Sequence, residues 1–284
     1  MKKAIILSLL TCIGTMLFGQ EMRLITLNSS ITETVFALGL GSNIVATDVT
    51  SVSPKAASEL PRVSKNRSVS VEGILAYKPQ KVLANSGEVS PTIIKQLKHA
   101  GVEFIEIVPN YSVKGALNYI QSIANGIGET EKGKVLVKQT EMSLEQTLTF
   151  VKQHAAEGSV PSVLFIYARG TGTMSVAGKG SSLDAMIKLA GGKNAIQEFS
   201  DFKPYTTEAL VKANPDIILM FDFGANSLGG IDRILKMPGM QNTNAGKHKR
   251  LLLMNSSLLV NFSNRLPEAI AELHKGFQEL MKLK

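Results

Sequence analysis

"SVEGILAYKPQKVL" (Ser70–Leu83) and "TTEALVKANPDIIL" (Thr206–Leu219) lie over one another without a gap. Each opens with Ser or Thr, carries Glu two places on, then an apolar pair, a Pro at the tenth position and an apolar run. A hydroxyl side chain ahead of a first-turn acid marks a helix start, and Pro after the patterned stretch marks its end. The apolar residues beyond each Pro have strand length. The chain therefore writes one helix-to-strand junction twice. A looser echo pairs "ITETVFALGLGSNIV" (Ile31–Val45) with "SLDAMIKLAGGKNAI" (Ser182–Ile196), where Gly41 meets Gly192 and Asn43 meets Asn194. Two echoes in the same order predict two similar lobes.

The segments around the repeats agree. "MRLITLN" reads as a strand, and Ser30 with Glu33 has the spacing of a capping box, which predicts a helix ending at Gly39. "NIVATD", "KVLAN" and "VEFIEIV" read as further strands, with "SVEGILAYK" and "SPTIIKQLKHAG" as the helices between them. Such alternation predicts a parallel sheet. From Ser112 to His154 only helical patterning is found; "SVLFIYA" then restarts the alternation, followed by a Gly-rich loop, "RGTGTMSVAGKGSS", and the helix "LDAMIKLAGG". The expected fold is α/β: two similar Rossmann-like lobes, each with a central parallel sheet, joined by a long rigid helix with a ligand cleft between them. The expected boundaries are a leader at 1–19, an N-terminal lobe at 20–128, a linking helix at 129–157 and a C-terminal lobe at 158–284.

The leader has a basic start (Met1-Lys2-Lys3), an apolar run from Ala4 to Phe18 and a small Gly19, the order of a cleavable secretory signal. A spanning helix needs roughly twenty apolar residues, so the chain is not expected to cross a membrane. Its expected place is the periplasm. Cys12 is the only cysteine, and Thr11 before it and the short apolar stretch ahead of it argue against lipid attachment. A mature chain without cysteine has neither disulfides nor thiolate metal sites. The formal net charge is +8, but the lysines are scattered and an exported chain meets little nucleic acid, so an anionic small ligand is the better partner. Enzyme signatures fail on inspection. "GTGTMSVAGKGSS" has Thr173 where a phosphate loop needs its first Gly and Gly180 where it needs Ser or Thr; Ser175 breaks a dinucleotide fingerprint.

"ELPRVSKNRSVSVEGIL", "VLFIYARGTGTMSVAGKGSSLDAMIKLAGGKNA", "KPYTTEALVKANPDIILM" and "GGIDRILKMPGMQNTNAG" resemble the periplasmic binding proteins that carry haem, siderophores and corrinoids to ABC importers, and among them the haemin-binding receptors. The resemblance implies a monomeric protein that takes haem as a transported ligand and hands it to an inner-membrane ABC permease dimer. The family's paired docking glutamates fall on Glu72 and Glu208. Related receptors carry an iron-ligating Tyr in a loop spelled roughly Gly-Tyr-Met-Arg; here the loop reads Ser64-Lys65-Asn66-Arg67, so Lys65 stands at the Tyr position. A His found in the Gly-rich loop of some relatives is here Arg169. Arg67, Arg169, Lys65 and Lys203 are left as cations for the haem propionates, and Tyr205, Lys65, Met174 and Tyr167 as candidate axial or cleft residues. No metal-binding residue is assigned directly. The four histidines, His99, His154, His248 and His274, are expected at helix surfaces or in solvent. A ferric siderophore or a corrinoid is the alternative cargo, and a haem-modifying or hydrolytic enzyme the remote one.

Overall fold

A computed structural model describes residues 22–66, 68–155, 160–170 and 174–282. The leader, with Cys12, lies outside the described residues. The first lobe runs β1 (Leu24–Thr26), α1 (Ser29–Ala37), β2 (Ile44–Thr47), α2 (Lys55–Ser58), α3 (Val71–Leu75), β3 (Lys81–Asn85), α4 (Pro91–His99), β4 (Glu103–Ile107) and α5 (Val113–Gly126). Its sheet has the order β2-β1-β3-β4, parallel throughout. The spine α6 (Thr130–Ala155) is 26 residues long. The second lobe continues with β5 (Ser162–Ala168), β6 (Met174–Ala177), α7 (Ser182–Leu189), β7 (Lys193–Asn194), β8 (Phe202–Pro204), α8 (Thr207–Ala213), β9 (Ile217–Phe221), α9 (Asp222–Ser227), α10 (Ile231–Leu235), α11 (Asn244–Lys247), β10 (Leu251–Met254), α12 (Ser256–Leu259) and α13 (Leu266–Met281).

The doubled junction folds the same way twice. Ser70 Oγ accepts from Gly73 N at 3.0 Å and Thr206 Oγ1 from Ala209 N at 3.1 Å, each hydroxyl closing the first turn of its helix. Ile74 and Leu210 anchor the two helices in the core. Lys78 and Asn214, at matching places before the two prolines, both turn left-handed, with φ of 48° and 37°. Proline disfavours the right-handed helical region for the residue before it, so helix ends and strand begins within the same few residues. β3 and β9 then take interior places in their sheets.

The second sheet differs from the expected parallel one at its edge. Its core, β10-β9-β5 with β7, is parallel, but β6 and β8 join antiparallel. The Gly-rich segment read as loop thus contains the four-residue strand β6, which pairs with the end of β5. A strand that short has too few residues to show a period. Among the described residues, no helix is long and apolar enough to cross a membrane.

Each sheet is packed on both faces. Leu24, Val35, Leu83 and Ile123 fill one side of the first sheet, and Ile25, Ile74, Val82 and Leu97 the other. In the second lobe Phe165, Ile187, Leu219 and Phe277 face Leu144 and Val151 of the spine, while Ile166, Leu210, Ile218 and Ile234 fill the opposite side. The spine also lays Leu136 on the first core, so one helix is bonded by packing to both lobes. His274 departs from expectation: it is buried, with Nδ1 against the Ala190 carbonyl at 2.9 Å, because α13 lies across the end of α7.

Candidate functional site: the cleft between the lobes

In open parallel sheets the loops at the carboxyl ends of the strands form the binding crevice. Here those ends approach one another. Tyr111, just after β4, meets Phe262, just after α12, with ring centroids 5.3 Å apart. The first-lobe wall is polar and acidic. The Tyr119 hydroxyl donates to Asn85 Oδ1 at 2.6 Å, and the amides of Asn85 and Asn28 donate to Glu88 Oε1 at 3.1 and 3.2 Å. Desolvation raises the Glu88 carboxyl above the usual range, with the Asn85 and Asn28 bonds and the Asp48 charge as smaller effects. Burial also raises the Tyr111 phenol, helped by the charges of Glu88 and Asp201.

The second-lobe wall is aromatic. Tyr167 lies 6.2 Å from Phe221 and 6.1 Å from Phe223, and the two phenylalanines stack at 5.4 Å. Phe202 and Phe223 are 45% and 36% exposed, an open apolar surface suited to a flat ring. The β5 end that carries Tyr167 is closely held. Gly170, at φ 73°, supplies the left-handed turn, and its N–H donates to Ser227 Oγ at 2.9 Å. Gly224 of α9 comes so near that an added Cβ would lie 3.1 Å from the Ala168 carbonyl oxygen. Arg169 projects from this turn, exposed.

The sequence candidates separate into two groups. Tyr167 and Arg169 stand at the strand end facing the cleft loops. Tyr205 and Met174 pack against the other side of the sheet, with Leu210 and Ile234. The Tyr205 hydroxyl is buried there without a partner, and desolvation raises its phenol; ligation would require the ring to turn out and give up its proton. Lys203 rests its ammonium 4.7 Å from the Phe199 ring centroid. Lys65 is exposed in a turn held by Asn66 Oδ1, which accepts from Ser68 N at 2.8 Å. Arg67 lies outside the described residues. Glu72 and Glu208 are exposed in the first turns of α3 and α8.

Sequence reasoning missed Phe223, Phe202, Tyr111 and Glu88. The signal available for them was position alone: each follows, or sits in, a short strand at the cleft end.

The fold, two α/β lobes on a helical spine with an acidic and an aromatic wall to the cleft, defines a substrate-binding protein of the kind that serves importers. The chain belongs to the periplasmic binding protein family, whose sequence profile matches residues 24–258. Among curated proteins it is similar to the uncharacterised ABC transporter substrate-binding lipoprotein YvrC of Bacillus subtilis, 28% identical over 89% of this chain and 79% of that one. It is also similar to the vitamin B12-binding protein of Photorhabdus laumondii, 24% identical over 72% of each chain. Among solved structures, the haem-binding protein RhuT of Roseiflexus superposes with a TM-score of 0.86 at 31% identity, covering 93% of this chain and 100% of that one. BhuT in complex with two haems superposes with a TM-score of 0.86 at 33% identity, covering 91% and 98%. HmuT superposes with a TM-score of 0.83 at 27% identity, covering 90% and 84%. Solved variants of HmuT replace a tyrosine and, two positions further on, an arginine with alanine.

Proposed function

We propose that this chain is the periplasmic capture component of a haem importer, with Tyr167 as the iron-facing phenol and Arg169 as the propionate anchor. The observation that carries the reading is the placement of Tyr167-Ala168-Arg169 at the end of β5, against the buried Phe221 ring and the exposed Phe223 ring. Haem is a flat apolar ring with two carboxylates and open axial positions on iron, so it needs an aromatic wall, a cation and a lone pair. The Tyr-x-Arg spacing matches the pair of positions substituted in HmuT, and Tyr167 is the only tyrosine in the chain with Arg two places on. Lys65 and Arg67, from the first lobe, would close on the other face of the cargo. Export rests on the leader at 1–19. Glu72 and Glu208 would dock the loaded, monomeric protein on a permease dimer, and the chain acts by binding, without turnover.

Titration of the purified protein with haemin tests this. Binding is expected to give a shifted Soret band with the charge-transfer absorption of a phenolate ligand, and Tyr167→Phe is expected to lose that absorption. An unchanged spectrum in Tyr167→Phe would remove the phenol from the iron. A corrinoid cargo is the second reading, favoured by the vitamin B12-binding relatives; cobalamin binding in the same titration, with no Soret shift from haemin, would establish it instead.

A further inference from the structure

The segment Asn261–Arg265 of the second lobe grips the first lobe at several places. Asn261 Nδ2 donates to Glu33 Oε2 at 2.7 Å, and Arg265 Nη1 donates to the same oxygen at 3.3 Å and to Ser53 Oγ at 3.1 Å. Thr34 Oγ1 donates to Asn264 Oδ1 at 3.2 Å, and Phe262 meets Tyr111 at the cleft. Four of these five consecutive residues thus hold α1, the turn before α2 and the loop after β4. The segment is itself braced, since Ser263 N and Oγ both donate to Asn261 Oδ1, at 3.0 and 2.6 Å.

The grip is unevenly satisfied. Glu33 is 3% exposed, and its Oε1 has no hydrogen-bond partner. Arg265 gives its fork to Glu268 instead, with Nε and Nη2 donating at 2.7 Å each. A buried carboxylate with one bare oxygen and half a guanidinium is poorly compensated. We propose that Asn261–Arg265 is an inter-lobe clasp, closed when Glu33 is protonated and loosened when it ionises, so that external pH sets how readily the cleft opens. The charged groups acting on Glu33 are Arg265 from the clasp and Glu268 from α13, with the Ser53 hydroxyl opposite. Burial outweighs Arg265 and pushes the Glu33 carboxyl up to about 7. Opening the clasp would return it to water and to its ordinary value of 4.5. Closing then takes up a proton between those two values, and the open-to-closed ratio climbs about tenfold per pH unit across that window.

The test uses ligand-free protein and does not depend on the identity of the cargo. Hydrogen exchange at the Ser263 amide, with intrinsic rates corrected for pH, should lose protection about tenfold per pH unit from about pH 4.5 to 7 and level off above. The Ile218 amide, deep in β9, is read in the same spectra for global unfolding, which exposes Glu33 as well and so carries its pH dependence; a local clasp is marked by Ser263 protection that lies below that of Ile218. Glu33→Gln is expected to flatten the Ser263 slope. Parent protein whose Ser263 protection ignores pH, Ser263 protection equal to that of Ile218 at every pH, or a parent-like slope in Glu33→Gln would each overturn the clasp. The comparison of Ser263 with Ile218 needs no variant, so it decides the matter even should Glu33→Gln not fold.

Discussion

At the level of single residues, the side chain that departs furthest from its sequence reading is Glu33. Its spacing from Ser30 predicts a capping box, yet Asn28 caps α1, its Oδ1 accepting from Ser30 N at 2.9 Å, and Glu33 reaches a partner 232 positions away. Spacing reports what a side chain can do locally; it cannot report a lobe that arrives later in the chain. The misplaced acid has a measurable signature. With its carboxyl raised from 4.5 to about 7, the folded state keeps a proton that the unfolded chain has released. That contribution to stability is present below about pH 4.5 and is lost as pH rises towards 7. Glu268, which its bonds to Arg265 hold below the usual range, titrates lower and leaves this window clear. Glu33→Gln should therefore match the parent in melting temperature near pH 4.5 and exceed it at pH 8, by calorimetry; the reverse order would contradict the burial argument. Arg169 is the corresponding test in the cleft. A lost charge-assisted contact costs about 1.5–3 kcal/mol, so Arg169→Ala should weaken haem binding by roughly tenfold to a hundredfold, while Tyr205→Phe, whose hydroxyl is sealed in the core, should leave affinity and spectrum unchanged.

Among the elements, the repeated helix-Pro-strand junction was legible because each of its parts is a local rule: a hydroxyl cap, a first-turn acid, an apolar pair with its first member buried, a proline. Ser70 and Thr206 are expected to contribute equally, about 0.5–2 kcal/mol each on replacement by Ala. The two caps lie in different lobes, so their effects should add within a few tenths of a kcal/mol in urea denaturation. Strong non-additivity would mean that α3 and α8 are coupled through the spine. Matching left-handed residues, Lys78 and Asn214, make a finer prediction. Asn tolerates that conformation better than Lys, so Lys78→Asn should stabilise the first lobe slightly. The edge strands β6 and β8 were not legible, because three or four residues in an antiparallel ribbon carry no period and the glycines around them read as loop. The aromatic wall of the cleft was hidden for a related reason. Phe221 and Phe223 look like the tail of a core strand, and only the turn into α9 brings Phe223 out to solvent.

For the whole molecule, the spine decides what the repeats can do. Leu136 packs in the first core and Leu144 and Val151 in the second, so the lobes share one helix; the clasp at Asn261–Arg265 adds a second tie. Duplicated lobes on such a frame present Glu72 and Glu208 at equivalent helix starts, where the macrodipole favours a carboxylate. On the proposed reading each acid would meet one half of a permease dimer. Reversing one charge would place like charges against each other at that contact, which costs several kcal/mol and slows encounter. It leaves the cleft untouched, because both glutamates are exposed in the first turns of α3 and α8, while Tyr167 and Arg169 stand at the end of β5. Glu72→Lys and Glu208→Lys are each expected to bind haem as the parent does and to lose uptake in cells or reconstituted vesicles. Full transport by either variant would mean that the permease reads some other surface, and the doubled sequence would then be only the trace of a duplicated fold.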